Sequence, residues 1–383
     1  MSFDTADSWF CSPRRSMWGT GLGAVIELPA PWPDHLDRVG AVLSGLKESL
    51  PPSSAVPVAF AALPFDRSQP GRFFVPHYLR VQTEDGEQWE VMLHSDPLPD
   101  STIQRGFPTE PSSYTVTAEM AVQHWCDTIG EATQAIASGA LDKVVLARSV
   151  LLSTDKPLSY HQLGALMAAA QPSALRYCID GFFGASPELL VSRLNEVVRA
   201  QPMAGTLPRS GDPSRDAQRA AELLASEKNR WEHQITIDMV HKTLLPWCSY
   251  LDAEPQPQVV GAGSVQHLAT MVEGRLSAPL PSVLELMAAL HPTPAVGGSP
   301  TQAALQKIAE LEPVSRGRYG GPVGWVDADG NGAWAVGLRG GEATAEGTRL
   351  FAGVGIVEDS DPDTELAETR AKFASTLASL IRP

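Results

Sequence analysis

Cysteine is scarce in this sequence of 383 residues, which contains four, at positions 11, 126, 178 and 248. They are far apart and form no C-x-x-C pair, so neither a disulfide framework nor a zinc knuckle is expected, and a reducing cytoplasm fits. No run approaches the roughly 20 apolar residues that a membrane-spanning helix needs. Residues 1–17 have no apolar segment of the kind found in secretory signals. We therefore expect a cytoplasmic protein without a membrane partner.

Positive charge is also in short supply. The chain has 29 lysines and arginines against 44 acidic residues, which gives a formal net charge of -15. Nucleic acid and anionic membranes both reward a basic surface, so neither is an expected partner. Much of the acidity serves solubility. An anionic substrate would nevertheless be repelled by the overall field, and its site would have to supply local positive charge.

Apolar residues are plentiful, at 43% of the chain, which is enough for a large buried core. Proline-rich breaks at 28–33, 51–57 and 97–113 separate strand-like pieces in the first part of the chain. Residues 116–383 mix helical and short strand patterns, and this mixture predicts an α+β fold with much antiparallel sheet. The segment 97–113 is the best candidate for a domain boundary. It is equally compatible with a surface loop inside one domain of residues 1–383.

The end of the sequence predicts a helix that begins after Asp361 and Pro362. Glu365, Glu368 and Lys372 fall at i, i+3 and i+7, on one face beside an apolar stripe. Spacing alone favours a solvated ladder of salt bridges, and a site that binds a ligand is the alternative. The apolar stripe consists of Leu366, Phe373, Leu377 and Leu380.

A second helix is predicted to start near Asp212 and to continue without a break through the segment that contains Glu232. Its apolar contacts are predicted to include Leu224, Trp231 and Ile235. Glu232 stands next to large apolar residues, and an unpaired buried charge is costly. A magnesium ion shared between Glu232 and Glu368 would satisfy both carboxylates. His233 lacks the spacing of an H-E-x-x-H motif, so a structural role is predicted.

Lys143 and Glu188 are the candidates for proton transfer. Lys143 opens the apolar strand segment KVVLARSVLL, where a lysine by default extends its amine to solvent. The alternative is a partly desolvated lysine that acts as a base. Glu188 follows a Ser-Pro turn, where an exposed glutamate is the simplest interpretation. In a closed pocket it would stay protonated and serve as an acid.

Nine segments resemble the chorismate-utilising enzyme family and, within it, the isochorismate synthases. They lie in the family's order within residues 116–383, and residues 1–115 look like the variable N-terminal part of the same fold. The segments are LDKVVLAR, FFGASPELL, PMAGTLPR, LLASEKNRWEHQI, VQHLATMVEG, LHPTPAVGGSP, GPVGWVD, LFAGVGIV and SDPDTELAETRAKF. The resemblance implies an α+β fold with large packed antiparallel sheets, chorismate as substrate and Mg²⁺ as cofactor.

The resemblance also implies roles for individual residues. Lys143 would activate water for attack at ring carbon 2, and Glu188 would protonate the hydroxyl that leaves carbon 4. Glu232 and Glu368 would bind the metal, with Glu365 as a supporting acid. Two cations, Arg339 and Lys372, would grip substrate carboxylates. The remaining substrate-binding positions would be Gly205, Thr206, His267, Thr293, Ala295, Gly353 and Gly355.

Other readings of the resemblance stay open. The segment 291–296, HPTPAV, is more similar to isochorismate synthases than to salicylate synthases, which go on to eliminate pyruvate. Aminating relatives depend on a glutaminase subunit, and no such subunit is expected here. The protein is expected to be a monomer. Some relatives carry an acid at the position of Asn229, which leaves the outer metal shell uncertain. The remaining alternative is a non-catalytic module that keeps the fold and binds chorismate.

Overall fold

The structure, a computed structural model, describes residues 7–51, 56–93, 111–156, 158 and 171–381. These residues form helices α1 (Asp37–Ser49), α2 (Val122–Ala137), α3 (Pro213–Ala225), α4 (Glu227–Leu244), α5 (Val283–Leu290), α6 (Thr301–Leu311) and α7 (Pro362–Leu380). Short 3-10 helices occupy Trp32–His35 and Leu245–Trp247. Within these ranges, no helix is both long and apolar enough to cross a bilayer.

Strands make up most of the remaining structure. Those before the segment 203–208 are β1 (Ser8–Cys11), β2 (Arg15–Leu28), β3 (Val58–Ala62), β4 (Gly71–Thr83), β5 (Gln88–Met92), β6 (Tyr114–Ala118), β7 (Lys143–Thr154), β8 (Leu175–Ile179), β9 (Phe182–Ser186), β10 (Leu189–Leu194) and β11 (Val197–Gln201). The others are β12 (Met203–Pro208), β13 (Cys248–Ala253), β14 (Gln258–Ala262), β15 (Val265–Ala269), β16 (Val272–Leu276), β17 (Gly298–Ser299), β18 (Pro322–Asp327), β19 (Gly332–Val336), β20 (Gly340–Thr344) and β21 (Gly347–Ile356).

Eighteen of these strands join in one antiparallel network, and three form a smaller sheet. One half of the network runs β13-β16-β11-β10-β19-β18-β3-β4-β2. From β2 it continues through β1-β8-β9-β20-β21-β7-β6. The small sheet has the order β12-β15-β14. The predicted α+β class with much antiparallel sheet is confirmed.

The first strands of the chain are part of the same sheet as the later ones. β1 pairs with β8 through Trp9 and Cys178, and β3 pairs with β18 along its whole length. Residues 97–110 of the predicted boundary lie outside the described residues. The strands before and after this segment belong to one hydrogen-bonded network.

Helix α7 begins as its sequence predicts. The Asp361 carboxylate accepts a hydrogen bond from the Thr364 backbone N–H at 2.9 Å, which satisfies a donor that has no partner within the helix. Leu366, Phe373 and Leu380 of the apolar stripe are buried, where the helix packs against β21 and α2. The adjacent face, with Glu365, Glu368 and Lys372, is therefore fixed in its direction.

The prediction of a single helix from Asp212 onward is wrong, because the helix is interrupted at Ser226. This residue has extended backbone angles, and its hydroxyl caps α4 by accepting a hydrogen bond from the Asn229 N–H at 3.3 Å. Two of the predicted apolar contacts are also wrong, since Trp231 is 51% and Leu224 39% exposed. The buried face of α4 is largely polar and begins with Glu232 and His233. Glu232 lines the cavity, whereas Val240 and Leu244 on the same face pack in the apolar core, so apolar periodicity describes only the second half of the helix.

His233 has the structural role that its spacing predicts. It is buried, and its Nε2 hydrogen-bonds with the Thr270 hydroxyl at 2.7 Å. Burial lowers the pKa of His233 to about 4, with a smaller contribution from the charge of Lys143. The ring therefore remains neutral at physiological pH.

Close strand packing generates the first prediction. A Cβ on Gly324 would lie 2.1 Å from the Ala333 carbonyl oxygen and 2.8 Å from the Trp334 Cα, so backbone would have to move. We expect Gly324→Ala to lower unfolding stability by about 1–3 kcal/mol. Gly45→Ala, in exposed helix α1 with open space around the new Cβ, should instead add about 0.5–1 kcal/mol. Urea denaturation of both variants measures the difference, and equal midpoints would contradict the packing.

Candidate active site

A cavity lies between the main sheet, the small sheet and helices α4 and α7. Strands β7 and β21 form one wall, and β12 and β15 contribute another. Its lining includes fourteen side chains or glycines that matter for the chemistry: Lys143, Glu188, Gly205, Thr206, Glu232, His267, Ala295, Arg316, Tyr319, Arg339, Gly353, Gly355, Glu368 and Lys372. Charged groups from distant parts of the sequence are thereby brought to one place.

Lys143 does not extend to solvent. It is 2% exposed, and its Nζ lies 3.7 Å from the Glu232 Oε2 of α4. Its side chain runs over Gly355 on β21, where a Cβ would lie only 2.9 Å from the lysine Cε and 3.4 Å from Nζ. Gly355 therefore provides the space that lets the amine reach the cavity.

Glu188 is buried between β9 and β10, with 3% of its surface exposed. Its Oε1 has no hydrogen-bond partner among the described residues. Burial raises the pKa of Glu188 to about 8, although the Met203 backbone N–H and the charge of Lys143 partly oppose this. At neutral pH the side chain is mostly a protonated acid that lines the cavity.

A chain of hydrogen bonds fixes Arg339. The His267 Nε2 accepts from the Arg339 Nη2 at 2.9 Å, and because a guanidinium only donates, that ring nitrogen carries no proton. The His267 Nδ1–H then donates to the Thr206 hydroxyl at 3.0 Å and to the Gly205 carbonyl at 3.3 Å. Burial, with Arg339 and Lys372 nearby, holds the pKa of His267 well below its usual range. The Arg339 Nη1 has no partner among the described residues and is available to an anion.

Lys372 provides a second cation from α7. Its Nζ lies 2.6 Å from the Glu368 Oε1 one turn earlier and donates to the Gly353 carbonyl at 2.7 Å. Burial lowers the pKa of Lys372. The predicted face with Glu368 and Lys372 is therefore part of the cavity and not a surface ladder of salt bridges.

Asn229 has a structural role that the sequence left open. Its Oδ1 accepts from the Thr206 backbone N–H at 3.3 Å, and its Nδ2 donates to the Ser226 hydroxyl at 2.9 Å. Gly205 has a positive φ of 69°, and a Cβ there would lie 3.0 Å from the Asn229 Cβ. Asn229 thus joins the start of α4 to the part of β12 that lines the cavity.

The acidic residues suit a hard divalent cation. Glu232 and Glu368 both line the cavity and offer only oxygen ligands, which Mg²⁺ prefers. Glu365 is buried nearby; burial, and secondarily the charge of Glu368, raise its pKa to about 7, so a cation beside this pair would relieve an unfavourable charge. Across the described ranges no group of three or more potential ligand side chains is close enough to hold a metal alone. Water and an anionic ligand would have to complete the coordination.

The structure brings together most of the residues predicted for the site. Two of them, Thr293 and Glu365, are not among the residues that line the cavity, although both are buried. Sequence reasoning missed Arg316, Tyr319 and Phe351, which do line it. Tyr319 and Phe351 stack with ring centroids 5.1 Å apart. Arg316 and Tyr319 stand in the unassigned segment SRGRYGG, and Phe351 stands in the quoted segment LFAGVGIV, where no role was assigned to it.

The lining is locally cationic in an acidic chain. It contains the cationic residues Lys143, Arg316, Arg339 and Lys372 against the carboxyl groups of Glu188, Glu232 and Glu368, and Arg316 is paired with Glu312 outside the lining. Glu188 is mostly uncharged at neutral pH. The cavity therefore provides the positive charge that an anionic ligand requires.

Comparisons with known proteins identify the same fold and family. Residues 75–381 match the family model described as chorismate binding enzyme. The MenF protein of Mycobacterium tuberculosis H37Rv, assigned as an isochorismate synthase, is 40% identical over 343 residues, which cover 86% of this chain and 87% of that protein. Isochorismate synthase DhbC of Bacillus subtilis is 34% identical over 391 residues, which cover 97% and 93%.

A solved structure agrees over nearly the whole chain. The crystal structure of DhbC from Bacillus anthracis, assigned as a 2,3-dihydroxybenzoate-specific isochorismate synthase, superposes with a TM-score of 0.86 at 33% identity. The match covers 99% of this chain and 97% of that one. The fold implied by the sequence resemblance is therefore confirmed.

The buried acid generates a prediction about stability. Because the pKa of Glu188 is about 8 in the folded state and near 4.5 when unfolded, the unfolded state releases its proton first as pH rises. The stabilisation of the folded state by protonated Glu188 is therefore complete below about pH 4.5 and is lost as the pH rises to about 8. Glu188→Gln should flatten this fall between pH 5 and pH 8.5, as measured by urea denaturation without metal.

Exposed Glu84 provides the control for this measurement, because Glu84→Gln also removes one carboxyl group. Its stability profile should follow that of the unmodified protein. Identical pH slopes for the unmodified protein and Glu188→Gln would contradict the raised pKa.

Proposed function

This chain belongs to the chorismate-binding enzyme family, and on that premise we propose that it is an isochorismate synthase, an isomerase that converts chorismate to isochorismate with Mg²⁺. Relatives that align over 86% or more of this chain carry that activity in their names. The observation that carries the proposal is the cavity in which a buried lysine and a protonated glutamate meet two cations and two acidic side chains.

Substrate binding follows from the charges of the cavity. Chorismate carries two carboxylates, and the unpartnered Arg339 Nη1 and the Lys372 ammonium are the groups that can bind them. Arg339 keeps its direction because neutral His267 accepts from its other nitrogen. A neutral histidine adds no repulsion to the arginine, so the network stays intact over the physiological range of pH.

Proton transfer requires a base and an acid in opposite states. Water adds to carbon 2 as its proton passes to Lys143, the ring double bonds shift, and the carbon 4 hydroxyl leaves as water with a proton from Glu188. One water enters and one leaves, so the reaction is an isomerisation. Burial holds Glu188 protonated for this step. In the reverse direction the two residues exchange roles.

Glu232 and Glu368 are the side chains that would hold Mg²⁺, with Glu365 supporting them. When bound, the ion would neutralise these carboxylates and offer coordination positions to a carboxylate of chorismate. Asn229 is committed to Thr206 and Ser226, so it is not needed as a ligand. We also propose the cytoplasmic location that the scarcity of cysteine in the sequence predicts.

The direct test is incubation of the purified protein with chorismate and MgCl₂, followed by chromatography. Isochorismate as the product supports the proposal. Salicylate would instead indicate a synthase that also eliminates pyruvate. Unchanged chorismate would support the non-catalytic alternative, and a product formed only with added ammonia would indicate an aminating enzyme.

Replacement of the base should remove turnover without removing binding. Lys143→Met keeps much of the side-chain volume but has no amine, so we expect kcat to fall by about 100-fold or more. The dissociation constant for chorismate should change less than about threefold, because Arg339 and Lys372 are untouched. Calorimetry and steady-state kinetics measure the two effects. Lys307→Ala, in helix α6 outside the cavity, is the control, and near-normal kcat in Lys143→Met would refute the base.

Loss of a proposed metal ligand should change the magnesium requirement. In Glu232→Gln we expect the Mg²⁺ concentration for half-maximal activity to rise about tenfold or more, since even groups that only support a metal ligand are worth about 10–100-fold in affinity. Glu227→Gln removes an exposed carboxylate from the first turn of the same helix and should leave the requirement unchanged. An unaltered magnesium titration in Glu232→Gln would exclude the ligand role.

A further inference from the structure

Strand β7 has an incomplete edge beside the proposed catalytic lysine. Along one side it pairs with β21 from Val144 to Leu152. On the other side β17 covers Lys143 and Val144, and β6 covers residues 150–154. Among the described residues no strand covers 145–149 on that side. Buried backbone groups left without partners are costly, so something else must satisfy them.

A buried ion pair takes the place of the missing strand. The Arg316 Nη2 donates to the Val145 carbonyl at 2.7 Å, and the Glu312 Oε1 accepts from the Ala147 N–H at 2.8 Å. The two side chains are also bonded to each other, through Nε to Oε2 at 2.8 Å and Nη2 to Oε1 at 2.5 Å. Their side chains are only 3% and 5% exposed. This pair therefore satisfies one backbone group at each of two successive positions of the β7 edge, while the Gly297 carbonyl accepts from the Val145 N–H.

Arg316 also holds the loop that contains Ala295. Its Nη1 donates to the Val296 carbonyl at 2.7 Å, and its guanidinium lies 4.4 Å from the centre of the Phe65 ring. Val145, Ala295 and Val296 all line the cavity. One guanidinium thus joins the strand that begins at Lys143 to a wall of the site.

We propose that Arg316, oriented by Glu312, is a positioning residue that sets where Lys143 presents its amine. The inference rests on the proposed function, because it concerns the base of that reaction. A lysine cannot replace this arginine, since four directed hydrogen bonds to three acceptor groups need a planar fork of donors. Displacement of a catalytic group by about 1 Å can cost on the order of 100-fold in rate.

The test compares Arg316→Lys with Arg318→Lys. Arg318 is a matched control: it is 15% exposed, pairs with Glu342 at 2.8 Å and donates to the Asp180 carbonyl, but does not line the cavity. We expect Arg316→Lys to lower kcat at least about tenfold with KM for chorismate within about threefold, because Arg339 and Lys372 stand on other elements. Arg318→Lys should keep kcat while losing comparable thermal stability.

Amide hydrogen exchange provides a readout that needs no activity. The Ala147 N–H, which donates to Glu312, should exchange faster in Arg316→Lys than in the unmodified protein or in Arg318→Lys. Glu312→Gln, which weakens the same pair more gently, should show the same pattern if Arg316→Lys does not fold. If the unmodified protein does not turn over chorismate, the proposed function fails, while exchange at β7 still tests the positioning role.

Three results would overturn the inference. Arg316→Lys with kcat within threefold of the unmodified protein would show that positioning does not matter. Equal losses of kcat in Arg316→Lys and Arg318→Lys would indicate a general structural role. A rise in KM with unchanged kcat would mean that Arg316 binds substrate and does not position the base.

Discussion

The buried contact between the Lys143 amine and the Glu232 carboxyl group is the interaction on which the site depends. It joins the main sheet to helix α4 across 3.7 Å, with both side chains largely removed from water. Removal of polar and ionisable groups from water is costly unless they have partners. This explains why the surroundings are so constrained: Gly355 makes room for the lysine, and the Arg316–Glu312 pair completes the strand from which it starts.

Burial decides the role of each ionisable side chain in the cavity as much as residue type does. Glu188 stays protonated because it has no ionic partner close enough to offset its desolvation, while Glu368 lies beside Lys372. His267 stays neutral and so can accept from Arg339, which leaves a free donor in the cavity. An acidic chain thereby maintains a local excess of cationic groups, in the place where a substrate with two carboxylates needs it.

Part of the fold and of the candidate site could be predicted from local sequence. The cap at Asp361 follows from an aspartate before Pro362, and the common face of Glu368 and Lys372 follows from helical periodicity. The break at Ser226 and the exposure of Trp231 did not follow. Apolar spacing identifies a face that packs against apolar neighbours, whereas the inner face of α4 begins with the polar Glu232 and His233 and becomes apolar only at Val240 and Leu244.

The sequence by itself determined the α+β class, the family and most of the charged side chains that line the cavity, because its motifs are local and keep their chemistry in any setting. Only the tertiary structure decided which of those side chains ionise, which atoms have no partner, and which residues hold the others in place. Arg316 and Asn229 illustrate this, since their roles depend on partners up to 171 residues away in the chain. Burial and long-range hydrogen bonds exist only after folding, so no local pattern can encode them.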